Sequence, residues 1–218
     1  MKTAPKNPST VKVKMPNGIT FEGSIGNRKI PTTTLIFNMG SATRCPSDAL
    51  GMCPFGKMKG DGTCYALKAE SGIYPAVLPC RNRQENMWLS SSADDIVTAI
   101  NSILKARPYI TAVRVNESGD FYDFKCVKKL SDIASKIKVP VYTYTHRTDL
   151  FTQSVTESLH KNLAINFSTD MGYTHGHNQF RLPEDVPAGV KTFLCKGDCS
   201  VCRLCVKKRG IVIVNPRH

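Results

Sequence analysis

Residues 110–167 read ITAVRVNESGDFYDFKCVKKLSDIASKIKVPVYTYTHRTDLFTQSVTESLHKNLAINF, and this stretch decides the fold class. Three short apolar segments within it, 110–115, 139–145 and 163–167, are rich in β-branched and aromatic residues and read as strands. Between the first two, Val127, Leu130, Ala134 and Ile137 recur at helical spacing. Between the second and third, residues 152–160 read as another helix. Alternation of this kind predicts parallel strands joined by crossover helices.

The same logic extends in both directions. Upstream, Ile96, Val97, Ile100, Ile103 and Leu104 form one helical face, with Ser92 and Asp95 spaced as a capping box. Residues 33–37 (Thr-Thr-Leu-Ile-Phe) read as a buried strand. Before them, 11–15 and 19–22 flank Pro16-Asn17-Gly18, and Asn-Gly between alternating segments marks a hairpin. Downstream, 189–194 and 211–214 read as strands on either side of a cysteine run. At 218 residues the chain is shorter than the roughly 250 of a complete eight-fold barrel. The expected class is therefore α/β: a partial, open (β/α) barrel over residues 31–218, with an N-terminal β-hairpin appendage over residues 1–30.

Composition narrows the function classes. No apolar run approaches the roughly 20 residues of a membrane span. The first ten residues carry Lys2 and Lys6 without a signal-type apolar segment, so the expectation is a cytoplasmic protein without a membrane partner. Lys and Arg total 30 against 17 Asp and Glu, a formal charge of +13, which attracts nucleic acid or another anionic partner but equally describes a generally basic protein.

Nine cysteines is a high count for such a chain, and a reducing compartment argues against disulfides as their purpose. In Cys195-Lys-Gly-Asp-Cys199-Ser-Val-Cys202-Arg-Leu-Cys205, the last three sit at the C-x2-C-x2-C spacing of bacterial-type ferredoxins. A cubane offers several irons to one tight loop, whereas a single zinc is gripped by two knuckles set further apart. Iron–sulfur is the expectation; structural zinc and free buried thiols stay open. Cys45, Cys53 and Cys64 form a looser group, in a long glycine- and proline-rich loop that metal binding would order. Cys126 falls on an apolar helical face and reads as core, and Cys80 precedes a polar helix start. Seven thiols then divide as four plus three. Because sites in parallel α/β proteins form at the carboxyl ends of strands, the Cys45–Cys64 loop, Ser118-Gly119-Asp120 and Cys195 are expected to converge on one rim.

Taken in order, four pieces resemble the phage-associated "gene product 88" family, a group similar to radical-SAM enzymes. They are Cys45-Pro46 to Cys64-Tyr65-Ala66; Arg114-Val-Asn-Glu-Ser-Gly-Asp-Phe121; Val141-Tyr-Thr-Tyr-Thr145; and Cys199-x2-Cys202-Arg-Leu-Cys205 with Val212-Ile213. The resemblance spans roughly residues 33–218. It implies a radical-SAM-like partial barrel, a [4Fe-4S] cluster and a place in a bacterial host cytosol. By that resemblance Cys45, Cys53 and Cys64 occupy the place of the three cluster ligands. Ser118, Gly119 and Asp120 occupy that of the motif holding the amino group of S-adenosylmethionine. The first group is spaced far wider than the C-x3-C-x2-C of those enzymes, and Cys195-x3-Cys199-x2-Cys202 has that spacing near the other end of the chain.

Other residues have two readings each. Asp120 is a cofactor contact or a helix N-cap. Tyr142, Tyr144, His146 and Arg147 line a pocket or a solvated edge. His175 and His177 read as a surface pair rather than metal ligands. Arg81 and Arg83 contact nucleic acid or cover the cysteine loop, Trp88 reads as core, and Lys207, Lys208 and Arg209 form a basic cluster. The function classes that follow are an iron–sulfur protein, with a reductive or radical reaction as its candidate activity; a non-catalytic zinc- or cluster-stabilised module holding nucleic acid or a partner; and an electron carrier.

Overall fold

The computed structural model describes residues 3–215 and shows a nine-stranded sheet, not closed on itself, with helices against one face. The strands are β1 (Ser9–Lys14), β2 (Thr20–Ile25), β3 (Thr34–Phe37), β4 (Ala112–Val115), β5 (Val141–Thr145), β6 (Leu163–Phe167), β7 (Asn178–Arg181), β8 (Thr192–Leu194) and β9 (Val212–Val214). Their order across the sheet is β1-β2-β3-β4-β5-β6-β7-β9-β8. From β3 onward every pairing is parallel, as strand–helix alternation requires, while β1, β2 and β3 pair antiparallel. The mixed α/β class is thus as expected, and β7 is a strand that the apolar pattern of the sequence did not reveal.

The helices are α1 (Pro46–Ala49), α2 (Tyr65–Lys68), α3 (Val77–Ser90), α4 (Ala93–Ala106), α5 (Phe124–Lys136) and α6 (Gln153–Ser158). Helix α4 begins where the capping box places it: Ser92 accepts from the Asp95 amide and the Asp95 carboxylate accepts from the Ser92 amide, both at 3.0 Å. Its apolar stripe, Ile96, Ile100 and Ile103, packs with Val127, Leu130 and Ile133 of α5 over Leu35, Val113, Val141 and Leu163 of the sheet. Trp88 and Cys126 are both in this core, the indole N–H donating to the Cys126 sulfur at 3.3 Å. The hairpin is continuous with the sheet. Val11, Phe21 and Ile25 are buried in the same core, and the rings of Phe21 and Phe37 meet edge to face at 5.3 Å.

The opposite face of the sheet carries Ala112 and Arg114 of β4, Tyr142 and Tyr144 of β5, and Ala164 and Asn166 of β6, since side chains alternate along each strand. Val206 and Cys205, from the cysteine run, pack against it. Among the described residues no helix is long and apolar enough to cross a membrane.

Candidate metal centre

Two groups of thiols are assembled, on different parts of the sheet. The C-terminal group leaves β8 at Cys195, whose amide donates to the Val214 carbonyl at 2.7 Å. The chain then turns across the face opposite the helices. The Cys199 amide reaches the Lys29 carbonyl at 3.2 Å, and Arg203 reaches the Thr111 hydroxyl at 2.9 Å. An asparagine ladder holds the far end. Asn166 donates to the Cys205 and Thr143 carbonyls, and Asn178 donates to Asn166 and to the Lys207 carbonyl, each at 3.0–3.1 Å. The result is one small cavity bordered by Cys195, Cys199, Cys202 and Cys205, with Thr34, Tyr142 and Tyr144 completing its wall.

Burial pushes the Cys205 thiol up to about 12, the neighbouring Cys195, Cys199 and Cys202 adding to the rise while a hydrogen bond from Tyr144 opposes it. Burial also raises Cys199, against the pull of the Arg114 guanidinium. Without a cation these sulfurs stay protonated at neutral pH; a metal reverses that by supplying the missing positive charge.

The first group lies in the loop after β3. Buried Asp48 organises it, accepting from the amides of Lys57, Met58 and Lys59 at 2.8, 2.9 and 3.3 Å. The amides of Cys53 and Cys64 bond to the Ser47 and Phe55 carbonyls. Gly60 is required by the close pass of backbone, since a Cβ there would stand 2.4 Å from the Pro54 carbonyl oxygen. Burial lifts Cys45 to about 12 and Cys53 to about 11; the Asp120 charge reinforces both, neighbouring Cys53 adds to Cys45, and Cys64 and the Asp48 charge add to Cys53.

Ser118, Gly119 and Asp120 adjoin this first group. The Asp120 carboxylate accepts from the hydroxyls of Ser47 and Thr145 and from the amides of His146 and Phe121 at 2.5–2.9 Å, tying the cysteine loop to the carboxyl ends of β4 and β5. The cap of α5 is Asp123, which accepts from the Cys126 amide, so the N-cap reading of Asp120 is corrected. Gly119 takes φ +72° where a Cβ would meet the Gly40 carbonyl oxygen at 2.9 Å. Ser118 donates to Glu70 at 3.1 Å. Glu70, which the sequence reading passed over, also accepts from the amides of Ala42 and Thr43 and pairs with buried Arg81 at 2.7 Å.

The expected convergence of three segments on one rim is therefore corrected. The first cysteine loop and residues 118–120 do meet there. The C-terminal run instead neighbours Lys29, Thr34 and Thr111, which lie before or at the start of β3 and β4. The charge of Arg114 is felt on both sides, by Tyr65 beside Cys64 and by Cys199. Among the described residues no three His, Cys, Asp or Glu side chains are arranged to grip a single ion.

The remaining candidates divide as follows. His175 is exposed, but His177 is fully buried and accepts from the Ile165 amide at 2.9 Å, correcting the surface-pair reading: it is a core histidine. Its ionisation is pushed down to about 3 by burial. Arg81 is buried in its pair with Glu70, and Arg83 forms a two-pronged pair with Glu22. Arg147 donates to the Phe121 and Tyr122 carbonyls and pairs with Asp149, a structural use rather than a pocket wall. Tyr142 and Tyr144 do line the cavity, as one of their two readings had it, and polar Asn166 inside the apolar Leu-Ala-Ile-Asn-Phe strand is a further signal in the sequence that this face holds something.

No curated protein and no solved structure matches the chain. The gene product 88 family model matches residues 9–188, a span that takes in Cys45, Cys53, Cys64 and Asp120 and ends before Cys195. The chain belongs to the gene product 88 family.

Proposed function

We propose that this protein is an iron–sulfur protein, with Cys195, Cys199, Cys202 and Cys205 as ligands of one [4Fe-4S] cluster. The observation that carries this reading is the cavity those four thiols border together. The donor set fits: four soft ligands in a tight turn, held on a sheet face by side-chain amides, with Tyr144 in the same cavity wall. A bound cluster supplies one-electron chemistry, and the protein's part is to hold it, exclude water and set its surroundings.

The finer proposal is a radical-SAM-like scaffold on which Cys45, Cys53 and Cys64 hold a second cluster. Three thiols leave one coordination position for S-adenosylmethionine beside Ser118, Gly119 and Asp120. Support for it is the adjacency of that loop to Asp120 through Ser47. The substrate would then undergo a reductive or radical reaction. The second reading, a zinc-stabilised module for nucleic acid or another anionic partner, rests on the charge of +13.

Metal and acid-labile sulfide measured on oxygen-free protein separate these readings. A brown protein with about four iron and four sulfide per cluster is expected, and Cys199→Ser or Cys202→Ser should bleach it while Cys126→Ser does not. A colourless protein holding zinc sinks the cluster reading. Given iron, failure of reduced protein to convert S-adenosylmethionine to deoxyadenosine and methionine removes the radical-SAM refinement alone.

A further inference from the structure

We propose that Arg114 and Tyr144 are positioning residues for the C-terminal thiol centre, acting as its counter-charge and sulfur hydrogen-bond donor, and so hold its reduction potential up. This inference rests on the cluster reading above.

Arg114 lies on the sheet face that the cysteine run crosses. Its Nε is buried with no hydrogen-bond partner, and none of the ion pairs among the described residues includes it. A guanidinium stays protonated at any working pH, so burying one of its N–H groups without a partner is costly even where the residue as a whole is half-buried. What it has in this structure is an aromatic face: its central carbon stands 4.9 Å from the centroid of the Tyr144 ring, with Tyr142, Tyr65 and Glu117 also in its field. Tyr144 in turn lines the four-cysteine cavity together with Cys205, and its ring packs edge to face against Phe180 at 5.3 Å. Tyr144 thus sits with Arg114 over its ring and shares a cavity wall with Cys205.

The chemistry follows from charge. Four thiolates around a cluster carry net negative charge, and adding an electron in a low-dielectric site raises it further. A fixed cation lowers that cost, and a hydrogen bond to a ligating sulfur does the same by withdrawing electron density, two of the recognised levers on cluster potential. Lys208 is depressed by burial and lies beside His177 instead. Arg203 also borders the cavity, but it is exposed and donates to the Thr111 hydroxyl, which leaves Arg114, with its buried and unpartnered Nε, as the cation proposed to serve this centre.

The test is a mediated dithionite titration, followed by electron paramagnetic resonance, of wild-type protein and Arg114→Gln, Arg114→Lys and Tyr144→Phe, each with iron and sulfide assayed. One electron passes from dithionite to the centre with no bond made or broken. Arg114→Gln and Tyr144→Phe should shift the midpoint to more negative potential, and Arg114→Lys should stay near wild type. An Arg114→Gln protein with full iron content and a wild-type midpoint overturns the proposal. Should Arg114→Gln fail to retain iron, retention by Arg114→Lys supports a charge role, and equal loss in both overturns it. A wild-type chain without iron and sulfide sinks the cluster reading itself, a result distinct from an unchanged midpoint.

Discussion

Glu70 shows how a single side chain organises the approach to the first cysteine group. It gathers two amides, one hydroxyl and the Arg81 guanidinium, and its side chain is 0% exposed. Those donors hold its carboxyl below the usual range even though burial opposes them. Glu70→Gln leaves Arg81 buried and unpaired, so urea unfolding should report a loss of about 3–5 kcal/mol, the usual cost of breaking a buried pair; an unchanged midpoint would mean that Arg81 finds water. His177 supplies a pH signature. The unfolded imidazole titrates near 6.5 and the folded one near 3. Folding therefore favours the neutral form: this contribution is complete above about pH 6.5, erodes as pH falls, and levels off below about pH 3. His177→Gln should flatten the decline of stability across that window, and an identical pH slope in the variant would assign the acid sensitivity elsewhere.

The loop between β3 and α2 is a different kind of object, an irregular segment held by polar contacts more than by an apolar face. Asp48 is its organiser, and three amides converge on that one carboxylate. Asp48→Asn keeps one acceptor and loses the charge, a change worth about 1–3 kcal/mol locally. Limited proteolysis should then cut within residues 53–64 several-fold faster while α4 and α5 stay protected; global unfolding at the same rate would show that the loop is not an independent unit. In α4 and α5, by contrast, spacing alone was enough. Apolar residues three and four apart can face one core only on a helix, and Ser92 with Asp95 marks the start of α4. Strand β7 was missed because Asn178-Gln-Phe-Arg181 has no apolar alternation; its polar side chains are spent on Asn166, on the cysteine run and on Asp170.

Strands β1 to β6 share one apolar core that includes the N-terminal hairpin. Phe21, Ile25 and Val11 are each at most 4% exposed. At roughly 1.5–3 kcal/mol for each buried side chain, their removal approaches the 5–15 kcal/mol that typically separates folded from unfolded protein. A chain lacking residues 1–26 should therefore fail to unfold cooperatively, and Phe21→Ala should cost about 3–5 kcal/mol by calorimetry. A truncated chain with a wild-type transition would show that the hairpin is dispensable.

What the residues determine locally is clear in the turn chemistry, the helix faces, the strand–helix alternation and the tight cysteine spacing, because each depends on neighbours within a few positions. Whether seven thiols share one mouth depends on how a sheet curls and where the last segment crosses it, and no short window encodes that. Packing separated the groups: asparagines from β6 and β7 draw the Cys195–Cys205 run onto the face opposite the helices, while Asp120 binds the Cys45–Cys64 loop to the carboxyl ends of β4 and β5. It also made Arg114 a link between them, since alternation along β4 turns its side chain toward the thiols only once the C-terminal run has folded back over that strand.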